Sequence, residues 1–336
     1  MNSPFFSIII PVYNGLSHDL PICLESIWNQ PLSPSLYEVI CVDDCSTDDT
    51  RRWLDEEAAN HNNLRVIKHS VNKRQGGSRN TGVRAAEGKY IVFIDQDDYF
   101  HQSSLRKIYD YLLSKNSIEV LVSDSAYQFK GHESNLLQLN LPFREICDSV
   151  EFIKHNGVVF APWRMCILRS FYMSHNLEFP EFCRIEDVDW ACRVQFYIKR
   201  MVYLPIILVH YNKADTSQTG SMYRDVDILK ANMKAGRRTY DIAMTLYEKH
   251  TLQHTILNVA ERYVYNTCKY MFGIFLSLNT KKKIISIIPV EKSKYKLVNF
   301  AIDYPLLFSM VSNLCVPLFR VAICIVRRMK AKRQSN

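Results

Sequence analysis

Three carboxylates close the segment YIVFIDQDDYF (90–100): Asp95, Asp97 and Asp98 follow five apolar residues directly. Acidic groups packed this tightly repel one another unless a cation or a ligand's hydrogen bonds compensate them. A second acidic pair, Asp43 and Asp44, ends YEVICVDD (37–44), and a third group, Glu186, Asp187 and Asp189, lies in EDVDW. Oxygen-only donors suit hard divalent cations, and a lone carboxylate near a reacting hydroxyl suits proton abstraction. Each group also has a plain structural reading. Asp is a common turn and N-cap residue, and carboxylates at a helix start complement its dipole.

The elements that carry these groups alternate. FFSIIIPV (5–12), YEVICVDD (37–44), LRVIKH (64–69), KYIVFID (89–95) and IEVLVSD (118–124) read as buried strands. Helical patterns fall between them at 20–30, after STDDT with Ser46 or Thr47 as N-cap, at 76–88 and at 104–115. This alternation predicts an α/β sheet, mixed but mainly parallel and flanked by helices. Ligands of such sheets bind beyond the carboxyl ends of the strands, where Asp43, Asp44, Asp95 and Asp97 fall. Residues 125–160 read as an excursion or lid with a helix from Ser149, then a helix over 186–200, a strand over 201–211 and helices to about 279.

Of 336 residues, 47% are hydrophobic and 23% charged, enough for a sizeable core. The net charge is +8, but residues 280–336 hold twelve Lys or Arg against Glu291 and Asp303, which leaves the first 279 at −2. A nucleic-acid-binding core is therefore not expected. Ten cysteines without a C-x-x-C pair predict free buried thiols in a reducing compartment. The opening MNSPFFSIIIPVYNG has no basic n-region and reads as a strand rather than a secretory signal. YPLLFSMVSNLCVPLF (304–319) carries no charge but holds two prolines and precedes Arg320 and the basic RRMKAKR. The pattern predicts shallow insertion at a membrane surface, with packing on the catalytic domain as the alternative.

Four elements occur in a fixed order: SIIIPVYNG, EVICVDDCSTDDT, GGSRNTGVRAAEGKYIVFIDQDD and FCRIEDVDW. The series resembles the family 2 glycosyltransferases, over about residues 5–211. The resemblance implies the A-type glycosyltransferase fold, a nucleotide-sugar donor (UDP favoured), a divalent Mn²⁺ or Mg²⁺ ion, and inversion at the transferred sugar. It implies Asp97 as metal ligand with His210 as a further one, and Asp95 at the donor ribose or a metal-bound water. Asp44 would read the base edge, with Pro11, Val12 and Tyr13 along the base and Arg79 at base or diphosphate. Asp187 would be the catalytic base and Glu186 its acceptor-orienting neighbour; Asp98 suits the turn or the next helix cap. Where relatives carry a W-N-K-L type element this chain has PWRMCIL (162–168), so Trp163 stays a candidate acceptor contact while Arg164 and Met165 depart from the pattern. The Q-x-x-R-W element of processive synthases is absent, so one sugar per turnover is expected, on a glycan or lipid-linked acceptor of surface polysaccharide synthesis.

The expected organisation is a catalytic domain over 1–220 (donor half about 5–124, acceptor half about 125–220), a helical extension over 221–299 and a membrane-associating tail over 300–336. This predicts a cytoplasmic enzyme, peripheral at the inner face of the plasma membrane. A sugar nucleotidyltransferase is the alternative enzyme, although PVYNGLSHD lacks the glycine-rich basic loop such enzymes carry after the first strand. A non-catalytic membrane-bound scaffold is the other.

Overall fold

Phe6–Val12 is apolar along most of its length, as a strand covered by helices on both sides must be. In the computed structural model it forms β1, buried at every residue. The structure describes residues 3–115, 117–129, 132–137, 146–212, 226–245, 250–271, 277–288 and 296–314. The chain divides into two compact units, Met1–Ala214 and Asp215–Asn336.

In the first unit β2 (Tyr37–Asp43), β3 (Leu64–Lys68) and β4 (Tyr90–Phe93) run parallel to β1 in the order β3-β2-β1-β4. The sheet continues through β8 (Met165–Leu168), β6 (Val120–Phe129), β9 (Met201–Asn212) and β5 (Tyr99–Phe100), and β7 (His132–Leu137) pairs with β6. β8 is antiparallel to both its neighbours, and β6 and β9 are parallel to each other. The predicted mixed, mainly parallel sheet is therefore present. The excursion expected over 125–160 begins as the β6–β7 hairpin, while residues 138–145 lie outside the described part.

Strand alternation divides the core. Ile8 and Ile10 face one way, with α1 (Leu20–Trp28) and later α4 (Ser104–Ser114) supplying Leu24, Ile27 and Ile108. Ile9 faces the other way, toward Val83 of α3 (Arg74–Ala85), Phe152 of α5 (Ser149–Asn156), and Trp190 of α7 (Asp187–Tyr197). α3 lies so close to β1 that a Cβ on Gly82 would run into Ile9. α2 (Thr50–Asn60) and α6 (Arg169–Ser174) complete the unit. The expected cap of α2 is corrected. The helix starts later than Ser46 or Thr47, because Ser46 Oγ accepts from Asn14 N (2.9 Å) and Thr47 N donates to Asn14 Oδ1 (2.8 Å).

The second unit holds α8 (Val226–Thr245), α9 (His250–Tyr270), α10 (Leu278–Ile285), α11 (Lys296–Asp303) and α12 (Pro305–Leu314). The boundary expected at residue 300 is not seen. Val298, Ala301 and Phe308 share a core with Leu229, Val264 and Ile284, because α11 and α12 each turn an apolar face inward. Lys281 is buried among them, donating from Nζ to the Met271 carbonyl (2.8 Å) and Ser312 Oγ (2.6 Å). Desolvation lowers its pKa to about 8. Among the described residues, no helix is long and apolar enough to cross a membrane, and the eight cysteines are free.

Candidate active site

The carboxyl ends of β1 and β2 build one wall. Pro11 pairs in register with Val42, and the Val12 carbonyl accepts from Asp44 N at 2.7 Å. Tyr13 keeps 43% of its surface exposed, so its ring is outside the core and open to a flat ligand. Asp43 is fully buried and serves the fold. It accepts from Arg51 Nε (2.8 Å) and Ser46 N (3.0 Å). Asp44 is also buried. Its Oδ1 lies 2.8 Å from His69 Nδ1 and 2.8 Å from Lys73 N, and its Oδ2 accepts from Arg74 N at 2.8 Å. The residue expected to read a base edge thus also anchors the start of α3, and His69 passes the contact on to Thr81 Oγ1 (2.9 Å). His69 escaped the sequence reading because a histidine ending a strand has no local signature.

The Asp-Gln-Asp-Asp turn leaves β4 across from this wall. Gln96 fastens it to Tyr13 in both directions, accepting from Tyr13 N (2.8 Å) and donating to the Tyr13 carbonyl (3.0 Å). Asp97 is half-buried. Desolvation, with the neighbouring charge of Asp95, pushes its carboxyl up to about 7. Asp98 is 1% exposed and accepts from Asn212 N at 2.9 Å, which pins the end of β9. Of the two roles expected of it, the turn and the next helix cap, the cap is not seen, since α4 starts six residues later with Ser103 at that position; within the turn Asp98 N donates to the Asp95 carbonyl at 3.1 Å. Burial, then Asp97 and Asp95, raise the Asp98 pKa well above its ordinary value, and its Oδ2 has no hydrogen-bond partner among the described residues.

The third acidic group reaches the site through Arg79. This side chain, 2% exposed, donates from Nη2 to Asp95 Oδ1 and from Nη1 to Glu186 Oε1, both at 2.7 Å. Both bonds are charge-assisted. Burial alone would lower the guanidinium's pKa; the charges of Asp95 and Glu186 outweigh it and raise it. Phe179 lies under the guanidinium, 5.2 Å from ring centroid to Cζ. The next residue, Asn80, clamps the same segment by donating to the Phe179 carbonyl (2.9 Å) and accepting from Phe179 N (2.7 Å). Asn is a poor residue for a helix interior, and that mismatch was the one available signal for its role. Gly76 lets the chain of Pro180 approach α3, since a Cβ there would strike the Pro180 carbonyl.

Asp187 begins α7 beside this bridge and is half-buried. Desolvation, then the charge of Glu186, push its carboxyl up to about 7, with Arg79 opposing. A carboxylate titrating there is poised to accept a proton near neutrality.

The other two predicted residues stand further along the rim. Trp163 stacks on Tyr211 (centroids 5.5 Å, planes at 10°), with the Arg164 guanidinium 5.4 Å from its ring. Arg164 is buried and donates from Nη2 to Ser125 Oγ at 2.7 Å, so it props the Trp163 ring rather than facing solvent. His210 is buried and stacked on Tyr99, and its Nε2 lies 2.8 Å from His101 Nδ1. Through Nε2 His210 thus ties β9 to the residue that follows β5. Among the described residues, no group of three or more His, Cys, Asp or Glu side chains is arranged to hold a metal unaided. The loop around Ser217, expected from its composition to order over a bound donor, lies outside the described residues.

A mixed sheet with acids at the carboxyl ends of β2 and β4, joined by an arginine to a Glu-Asp helix start, has the architecture of the A-type glycosyltransferase fold. Residues 7–172 match the family described as Glycosyl transferase family 2, and the chain belongs to that family. It is 35% identical over 196 residues to the poly(ribitol-phosphate) beta-glucosyltransferase of Bacillus spizizenii, covering 57% of this chain and 29% of that protein. The fold is shared with residues 1–349 of TarS from Staphylococcus aureus, solved with UDP-GlcNAc: TM-score 0.70, 20% identity, 92% of this chain and 90% of that one. The mannosyltransferase PcManGT from Pyrobaculum calidifontis, solved with GDP-Man and Mn²⁺, is similar at TM-score 0.51 and 15% identity, covering 94% and 88%. The chain thus spans less than a third of the length of the Bacillus relative.

Proposed function

We propose that the protein transfers one sugar per turnover from a nucleotide-diphosphate sugar, UDP favoured, to a hydroxyl of a glycan or lipid-linked acceptor, with inversion. The carrying observation is the bridge from Asp95 through Arg79 to Glu186, which brings the donor-end acids and the Glu-Asp helix start into one site. On this reading Asp187 takes the proton of the acceptor hydroxyl as its oxygen attacks the anomeric carbon. The bond from that carbon to the diphosphate breaks, and its electron pair leaves with the nucleoside diphosphate. Attack opposite the leaving group inverts the centre. Tyr13 lies along the base and Trp163 offers the acceptor an aromatic face. A hydroxyl-rich polymer such as the poly(ribitol-phosphate) in the Bacillus relative's name falls within this acceptor class.

The residues of the turn fit a divalent cation. Asp95 and Asp97 supply hard oxygen donors, desolvation and mutual repulsion hold Asp97 high, and Asp98 keeps a buried oxygen with no hydrogen-bond partner among the described residues. Asp97 would hold the ion, the donor diphosphate completing its shell, and the chemistry supplied is neutralisation of charge on the leaving group. The test is a thermal-shift screen of UDP-, GDP- and TDP-sugars with and without Mn²⁺ on the full chain. A cation-dependent rise with one nucleotide class is expected; no rise and no turnover with any donor would sink the reading.

The proposal extends to the membrane. Leu307 and Met310 stand exposed on α12, Tyr304 stands exposed just before it, the three line a shallow hollow with Lys282, and the chain continues into the basic RRMKAKR. An apolar face backed by positive charge suits the anionic inner face of a cytoplasmic membrane. Removing everything from residue 300 would take Ala301 and Phe308 out of the second unit's core, so substitution is the cleaner probe. Leu307→Asp with Met310→Asp is expected to weaken sedimentation with phosphatidylglycerol vesicles by about tenfold or more. Unchanged sedimentation would exclude this face as the contact.

A further inference from the structure

Arg79 invites a simple role, since a cation near a diphosphate site usually meets phosphate. Its geometry argues otherwise. The side chain is 2% exposed, and its two terminal nitrogens are committed to Asp95 and Glu186 at 2.7 Å each. Those partners come from opposite sides of the reaction: Asp95 from the donor strand β4, Glu186 from the helix start that carries Asp187. Phe179 beneath the guanidinium and the Asn80 clamp one residue on fix its direction. A guanidinium can serve two carboxylates because its donors form a rigid planar fork; an ammonium has no such fork.

We propose that Arg79 is a positioning residue, bridging the donor acid Asp95 to Glu186 so that Asp187 is held at the acceptor side in its working geometry and charge state. The inference rests on the transfer reaction proposed above. The groups facing Asp187 are Glu186 at its own helix start, Arg79 from α3 and Asp95 from the end of β4. Arg79 is the cation among them. Without it the carboxylates around Asp187 lose their compensation, and Asp187 holds its proton to higher pH.

The experiment compares wild type, Arg79→Gln and Arg79→Lys in steady-state sugar transfer from pH 5.5 to 9. For Arg79→Gln the acidic limb of the rate is expected to move to higher pH, with kcat down at least tenfold and donor KM changed less than threefold. Arg79→Lys is expected to restore the position of the limb while kcat stays low, because one ammonium cannot span both carboxylates. A rise of donor KM of tenfold or more, with the limb unmoved, would make Arg79 a diphosphate ligand and overturn the proposal. Heat denaturation keeps the bridge testable where a variant is too unstable to assay. Asp95→Asn with Glu186→Gln should recover much of the melting temperature lost in Arg79→Gln, and absence of any recovery would refute the bridge. A wild type without turnover on any donor strikes the functional reading alone, and the melting comparison still decides the bridge.

Discussion

Asp187→Asn is expected to lower sugar transfer by roughly 10²–10⁴-fold, the range for loss of a positioned general base, while UDP binding survives. The size follows from its place: half-buried at the start of α7, beside the bridge, with its carboxyl pushed up to about 7. A base must be ionised to work, so the wild-type kcat/KM should fall as pH drops through about 7. The variant's residual rate should lack that limb. Stability carries the opposite sign. The folded-state pKa lies above the ordinary 3.8, so the folded protein binds more protons than the unfolded chain between those two values, and ionising Asp187 costs stability as pH rises across the window. Asn cannot ionise. The melting temperature of Asp187→Asn relative to wild type should therefore be higher at pH 8 than at pH 4. A variant that keeps the limb, or whose relative stability does not vary with pH, would remove Asp187 from the base role.

Much of the first unit was legible because its signals are local. Runs such as SIIIPV and YIVF are buried on both faces, and that demands parallel strands between helix layers. What eluded the sequence were bonds between distant residues. Arg79 and Glu186 are 107 positions apart, Asn80 and Phe179 are 99 apart, and Tyr13 and Gln96 are 83 apart. A charge on a helix looks solvated until its partner is known, and nothing beside Arg79 announces its two carboxylates. The place of Asp98 in the turn is legible, but its distant partner Asn212 leaves no mark beside it. The second unit shows the reverse error. The apolar stretch from residue 304 reads as a tail by composition, yet α12 spends one face on the core. Composition averages over a helix; only its periodicity separates a covered face from a free one.

That same distinction between reachable and covered groups decides among the carboxylates after β4. Asp97→Asn is expected to abolish the Mn²⁺-dependent part of the thermal shift given by UDP, and with it turnover. For the wild type at a hundredfold excess over Kd that linkage amounts to about 2.7 kcal/mol, so its loss is easily read. The apo variant should melt no lower than wild type, because Asn removes a desolvated charge that Asp95 repels. Asp98→Asn should behave differently. Asp98 is almost wholly covered, and its defined bond accepts from Asn212 N, which an amide oxygen can also do. The end of β9 should hold, and most of the cation-dependent shift should remain. The comparison is sharp because the two residues are adjacent and the substitutions are the same. If Asp98→Asn loses the shift and Asp97→Asn keeps it, the metal belongs to the buried carboxylate, and the half-exposed one serves the turn.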